Sequence, residues 1–275
     1  MRGYRELEEP TTANYGPSQV SGVHEAPTQP APYVEEELFR DSLVGSVPVE
    51  SLSAHFQPVV ALCTGKTFAF EALPRCDVEG LRDPEELFAR AAFEKKIGEL
   101  GRAVRRAAFD ACPGAPIFIG VHPHELKDSW LIRPDDAISS HDREVYLQVD
   151  QPVCSAVCMH VLSEVASRTG VSLVVDDLGA SGSNLSQVIE LGPSFVKLDA
   201  ALVRGIDRNL RKRKVVSALV KMCADLGAQL IAKAVDSEAA LRTLIELGVP
   251  YGQGSVLGAP APKPVASKWL PGAAR

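Results

Sequence analysis

The sequence predicts an α/β fold, a closed (β/α) barrel, and three observations carry that prediction. Five short runs rich in β-branched residues lie between residues 116 and 232, each of the length and composition of a strand buried on both faces. The segments between them repeat apolar residues at helical spacing. The alternation continues through some 230 residues as one unit, which points to parallel strands with crossover helices. A doubly wound open sheet has the same periodicity, so pattern alone leaves it as the alternative.

The elements follow in chain order. Residues 1–33 hold five prolines (10, 17, 27, 30 and 32) and few aliphatic side chains, too little apolar surface to offset the entropy of folding, and are expected to form a disordered N-terminal tail. The folded domain is expected over residues 40–265, with 266–275 as a C-terminal tail. Its first strand is read from "FAFEALPR". "DPEELF" then starts a helix, with Asp83 as N-cap, Pro84 at the first helical position and Glu86 three residues after the cap. "PIFIGV" (116–121), "VYLQV" (145–149), "VSLVV" (171–175), "SFVKL" (194–198) and "AQLIA" (228–232) are the next strands. Between the last strands, "LRKRKVVSALVKMCADLG" places Val215, Val216, Leu219, Cys223 and Leu226 on one face and stops at Gly227. "SEAALRTLIELG" repeats that plan and stops at Gly248.

Composition excludes several functions. A net charge of -6 on 275 residues argues against a nucleic-acid binder. No run approaches the ~18 apolar residues of a membrane span, and "MRGYRELEEP" lacks the apolar stretch of a secretory signal. Six scattered cysteines (63, 76, 112, 154, 158 and 223) in a chain of this size favour reduced thiols and a cytoplasmic location. Cys154 and Cys158 read as core packing, since no second Cys/His pair stands at zinc-site spacing.

In a barrel of this kind chemistry gathers where strands end. The polar residues at those ends are Glu71 and Arg75, then Gln148 and Gln151, Asp176 and Asp177, Lys197, Lys233 and Asp236, and Gln253, with only Gly120 at the "PIFIGV" strand. Acids and lysines from several strands are thereby directed to one rim.

"FQPVVALCTGKTFAFEALPR" (56–75), "DDLGASGSNLSQV" (176–188), "VKLD" (196–199) and "YGQGSVLGAPAP" (251–262) resemble the EAL domain, the bacterial cyclic di-GMP phosphodiesterase family, over about residues 40–265. The resemblance implies a modified TIM (β/α)8 barrel of the EAL type whose rim binds cyclic di-GMP. In active members two divalent metals there activate a water that cleaves one phosphodiester bond. Carried over residue by residue, it implies that Glu71, Asp176, Asp177 and Lys197 are what remains of the catalytic set, with the glutamine of the late "QG" motif at Gln253. The family's asparagine falls on Gly120, two of its glutamates on Gln148 and Gln151, and a third on Lys233, which reverses a charge.

Three acids then face two lysines, a balance of -1, where the family's five acids and one lysine match two dications. Mg²⁺ and Mn²⁺ demand several oxygen ligands, and without a metal-activated water the reaction lacks a nucleophile at neutral pH. The expectation is therefore a degenerate member, not an enzyme, with no metal and no cofactor. Cyclic di-GMP binding without hydrolysis is the function expected first, with signalling through a regulatory protein partner. Its ligand-binding residues by resemblance are Gln57, Glu71, Leu73, Arg75, Asp176, Ser181, Asp236 and Gln253, and the glycine-serine loop 179–183 offers further N–H groups to phosphate. The alternatives are a nucleotide-independent protein-interaction module and a residual phosphodiesterase. The basic run "RNLRKRKVV" (208–216) bears on partners: it is either a solvated helix start or a contact for a partner or a homodimer. His122 and His124 beside Glu125 resemble a chelating cluster, but His122 and Pro123 fall on ordinary loop residues of the family and the segment reads as a loop. Trp130 and Trp269 read as packing, Asp199 as structural, and Asp142 and Glu144 as solvated.

Overall fold

The computed structural model of the chain describes residues 47–127, 131, 136–149, 156–180 and 185–271. The expected tail at 1–33, and Trp130, Gln151, Cys154 and Ser181, lie outside the described residues.

Eight strands close into a barrel in chain order. Strands β1 (Leu52–Ala61) and β2 (Thr67–Cys76) form an antiparallel hairpin in register from Leu52↔Cys76 to Pro58↔Phe70. The connection between them, residues 62–66, is far too short for the crossover that a parallel pair requires. From β2 onward the pairs are parallel: β3 (Ile117–Val121), β4 (Val145–Val149), β5 (Ser172–Leu178), β6 (Phe195–Leu198), β7 (Gln229–Ala232) and β8 (Tyr251–Gly252). Strand β8 closes the ring against β1, antiparallel, at Val60 and Ala61. The fold is thus the expected α/β barrel, modified by its reversed first strand. That strand is absent from the pattern reading, and it carries a proline, Pro58, in "LSAHFQPVVA", a residue that a ladder seldom admits. The proline is tolerated since it falls between the β8 pairing at Val60 and the bridge of Phe56 to Ala261.

The helices fill the outside: α1 (Pro84–Phe93), α2 (Ile97–Ala111), α3 (Ala156–Thr169), α4 (Leu185–Leu191), α5 (Ala200–Val203), α6 (Leu210–Asp225) and α7 (Glu238–Glu246). Asp83 caps α1 as expected, its carboxylate accepting from Glu85 N at 2.8 Å. Asp199 has the same role on α5, accepting from Ala201 N. Helices α6 and α7 end where the glycines predict, with Gly227 and Gly248 in left-handed backbone at φ 78° and 77°. The packed face of α6 differs from the expected one. Val215 and Leu226 point outward, and Val216, Leu219, Val220 and Cys223 meet the barrel at i, i+3, i+4 and i+7 spacing. From residue 266, where a tail was expected, Ser267 N donates to Thr67 Oγ1 at 2.8 Å and Trp269 packs on the barrel's outer core.

What positions the site is the inside of the barrel. Val59, Ala69, Phe118, Tyr146, Val174, Phe195 and Ile231 form one buried layer, closed by Phe68 and Tyr251. Side chains alternate along a strand, so the next inward residue stands two positions further towards the open end. Those residues are Gln57, Glu71, Gly120, Gln148, Asp176, Lys197, Lys233 and Gln253. The registers set Gln57 beside Glu71 and Gly120 beside Gln148, while Glu71 faces Phe118, Gln148 faces Val174 and Lys197 faces Ile231 across the stagger of the barrel. An apolar, aromatic floor thereby carries a polar ring, and the same registers fix both. Among the described residues no helix is long and apolar enough to cross a membrane.

Candidate functional site at the barrel rim

The ring is knitted together by two lysines. Lys197, fully buried on β6, donates to Glu71 Oε1 at 2.6 Å and to Gln148 Oε1 at 2.7 Å, and its ammonium lies 5.6 Å from the centre of the Phe118 ring below. Its Nζ is also 4.0 Å from Asp176 Oδ2. Lys233, directly after β7, donates to Asp176 Oδ1 at 2.9 Å and Asp177 Oδ1 at 2.5 Å. Charges therefore alternate across the mouth of the barrel: Glu71, Lys197, Asp176, Lys233, Asp177.

Amides complete the network. Gln148 Nε2 donates to Glu71 Oε1 at 2.8 Å, and Gln253 Nε2 donates to Glu71 Oε2 and, at 3.0 Å, to Gln57 Oε1. Gln57 Nε2 is in turn held by Gly258 O at 3.0 Å. Gln253 Oε1 is buried with no hydrogen-bond partner among the described residues. Reversing that amide would aim its oxygen at two acceptors, so the observed orientation is the favourable one. Both oxygens of Glu71 are thus engaged by donors.

The protonation states follow from this arrangement. Burial alone would raise the Glu71 carboxyl, but the Lys197 ammonium, with the two amides, holds it at about 2. Burial raises Asp176, which has Glu71 and Asp177 as like-charged neighbours and is only partly relieved by Lys197 and Lys233. Burial would lower Lys233, yet its contacts with Asp176 and Asp177 outweigh that and raise it, so it stays charged. Three acids stand against two ammonium groups, and Asp176 is the one that both ammonium groups face, at 2.9 Å from Lys233 and 4.0 Å from Lys197. Asp177 and Ala234, next to the two ends of this pair, adopt left-handed backbone at φ 54° and 52°. For alanine that conformation costs about 1 kcal/mol or more.

The remaining sequence-predicted residues lie around this ring. Leu73 and Arg75 follow Glu71 on the same face of β2, and Arg75 Nη1 turns back to donate to Pro74 O at 2.7 Å. Asp236 is exposed and accepts from Ser255 N and Oγ at 3.1 and 2.8 Å, which ties the β7 loop to the β8 loop. A cleft of about 480 Å³ runs from Glu71 and Gln148 past Gly120 and Leu73 to Phe88 and His122. It is of small-ligand size. Among the described residues, no group of three His, Cys, Asp or Glu side chains is arranged to hold a metal ion.

Sequence reasoning missed one cluster. Glu125, read as a loop residue, is buried and forms an ion pair with Arg105 at 2.5 Å, and Arg105 also pairs with Asp136 at 2.8 Å. Glu125 Oε1 accepts from His122 N at 3.0 Å, fixing the loop after β3. Gly101, one turn before Arg105, makes room: a Cβ there would lie 2.0 Å from Glu125 Oε2. The available signal was Arg105 falling on the apolar stripe Ile97, Leu100, Val104 and Ala108 of α2. The basic run at 208–214 is partly structural. Lys212 donates to Arg204 O, and Arg213 to Ile206 O, Asp207 O and Thr243 Oγ1, capping a turn before α6.

Comparison with known proteins adds the following. Residues 41–260 match the EAL domain family. A protein of Azorhizobium caulinodans called "Uncharacterized protein" is 29% identical over 243 residues, 78% of this chain and 32% of that protein. The "Cyclic di-GMP phosphodiesterase RocR" of Pseudomonas aeruginosa is 28% identical over 228 residues, 76% of this chain and 57% of RocR. The chain thus spans about a third of one relative and a little over half of the other. Among solved structures, the Klebsiella pneumoniae BlrP1 calcium/cy-diGMP complex shares the fold, with a TM-score of 0.71 at 24% identity over 81% of this chain and 59% of that one.

Proposed function

Because the chain belongs to the EAL domain family, a family of cyclic di-GMP phosphodiesterases, we propose that it binds cyclic di-GMP without hydrolysing it and signals through protein contacts. The observation that carries this reading is the occupancy of the acids: Glu71 is engaged by Lys197, Gln148 and Gln253, and Asp176 and Asp177 share Lys233. Such a donor set does not fit a pair of divalent ions. Hard cations need several free, anionic oxygens in near-octahedral order, and here the ring supplies its own cations and a neutral Gln148, with Gly120 contributing no side chain. Without metal, water at the rim keeps its ordinary acidity and is a poor nucleophile.

Ligand capture needs none of that chemistry. Leu73 and Gly120 line a cleft large enough for part of a dinucleotide, and Gln57, Arg75 and Gln253 are the further side chains proposed to hold it. The free thiols at Cys63, Cys76, Cys112, Cys158 and Cys223 accord with a reducing, cytoplasmic setting.

Calorimetric titration with cyclic di-GMP, in EDTA and again in Mg²⁺, tests this, together with a turnover assay in both buffers. Binding of equal strength in the two buffers with no product is expected. Metal-dependent turnover that Glu71→Ala abolishes would sink the reading. A second reading, a protein-interaction module without nucleotide, is favoured by an apolar groove of about 490 Å³ between α4 and α6. Ile189 and Leu226 are exposed there. No heat in either buffer would favour that module.

A further inference from the structure

We propose that Lys233 is a resident counter-ion that stands in for a divalent cation at the Asp176 and Asp177 pair, and that this side chain is what keeps metal from those two carboxylates. The inference rests on the non-hydrolytic reading above and names the residue that determines it. Lys233 reaches two carboxylates from different positions on β5, at 2.9 and 2.5 Å, an arrangement in which one cation bridges an acid pair. The backbone is committed to that bridge, since left-handed Asp177 and Ala234 turn the ends of β5 and β7 beside it. A tethered cation also has an entropic advantage over a dissolved one, as its position is fixed by the fold and needs no capture from solution.

The two lysines differ in what they allow. Lys197 is fully buried, donates to Glu71 and Gln148 and rests above Phe118, so it belongs to the packing of the barrel. Lys233 has a quarter of its side chain exposed, 26%, and opens to solvent at the rim. Water, and hence a hydrated metal ion, can reach its position when the ammonium is removed. Lys233→Glu changes the local balance from three acids and two bases to four acids and one base, from -1 to -3. That surplus, on oxygens within one cluster, is what Mg²⁺ or Mn²⁺ requires. Lys233→Ala removes the cation alone and leaves -2.

The test is thermal unfolding and calorimetry of the full chain with MnCl₂, on wild type, Lys233→Glu, Lys233→Ala and the triple variant Lys233→Glu/Asp176→Asn/Asp177→Asn. Wild type should show no saturable Mn²⁺ heat. Lys233→Glu should bind Mn²⁺ saturably and gain on the order of 5 °C in Tm at saturating metal, with Lys233→Ala showing a smaller gain of the same kind. The triple variant should lose the gain. Saturable binding by wild type that Asp176→Asn/Asp177→Asn abolishes would overturn the proposal, because the metal would then coexist with Lys233. A natively folded Lys233→Glu or Lys233→Ala with no more Mn²⁺ response than wild type would overturn it as well. Should Lys233→Glu fail to fold, Lys233→Ala and the wild-type titration decide. These outcomes are separate from the nucleotide titration: wild type could bind cyclic di-GMP, or not, whatever Lys233→Glu does with metal.

Discussion

Lys197→Met is the substitution that most directly probes how the rim is held together. Methionine matches the length and volume of the lysine stem and removes only the ammonium. Glu71 is then left buried with two amide donors and no cation. In the intact protein its carboxyl is held at about 2 against an ordinary 4.5, because the Lys197 ammonium and the two amides outweigh the effect of burial. Breaking a buried pair by removing one partner costs about 3–5 kcal/mol. Urea denaturation at pH 7 should therefore show the variant about 3 kcal/mol less stable, read from the midpoint at unchanged slope.

The sign of the pH dependence is a sharper check. In wild type, the lowered Glu71 contributes stability that is present above about 4.5 and is lost as pH falls towards about 2. In Lys197→Met, burial without the ammonium raises the folded value, so Glu71 costs stability at pH 7 and relieves that cost by taking a proton as pH falls. The gap between the two proteins should narrow to about 1 kcal/mol near pH 4. Adding Glu71→Leu to Lys197→Met should recover part of the loss, since an apolar pair needs no counter-charge. A loss under 0.5 kcal/mol at pH 7, or a double variant less stable than Lys197→Met, would refute the account of the ring as a mutually neutralising network.

Two further outcomes are expected. Gly101→Ala should cost on the order of 3 kcal/mol in chemical denaturation, because its methyl group would lie 2.0 Å from Glu125 Oε2 and must displace the Arg105 pair. A near-neutral Gly101→Ala would mean that the carboxylate can move aside freely. Asp83→Ala should cost about 1 kcal/mol by leaving Glu85 N without its cap, whereas Asp83→Asn should stay within a few tenths. Equal losses for the two would show that charge near the helix start, rather than the capping hydrogen bond, is what matters there.

Much of the fold was legible because its signals are local. The cap at Asp83, the stops at Gly227 and Gly248, and the five central strands each depend on a few neighbouring residues. The α6 face was read one residue wide of its true position, since Val215 and Val216 are equally apolar and only the barrel beneath decides which is covered. Strand β1 was not read from the pattern, and the place of its Pro58 in a gap between two pairings is a property of the closed ring.

For the site, the sequence by itself determined which chemical groups arrive at the rim. Inward residues alternate with period two, so Glu71, Gln148, Asp176, Lys197, Lys233 and Gln253 were recoverable as strand-end polar residues, and their charges could be counted. Their pairing was beyond it. That Lys197 takes Glu71 and Gln148 while Lys233 bridges Asp176 and Asp177 depends on strand stagger and on two left-handed residues. The Arg105 cluster likewise joins residues 20 and 31 positions apart. Composition fixes the charges available to a fold, but electrostatic energy depends on distance and burial, and those exist only once the barrel has closed.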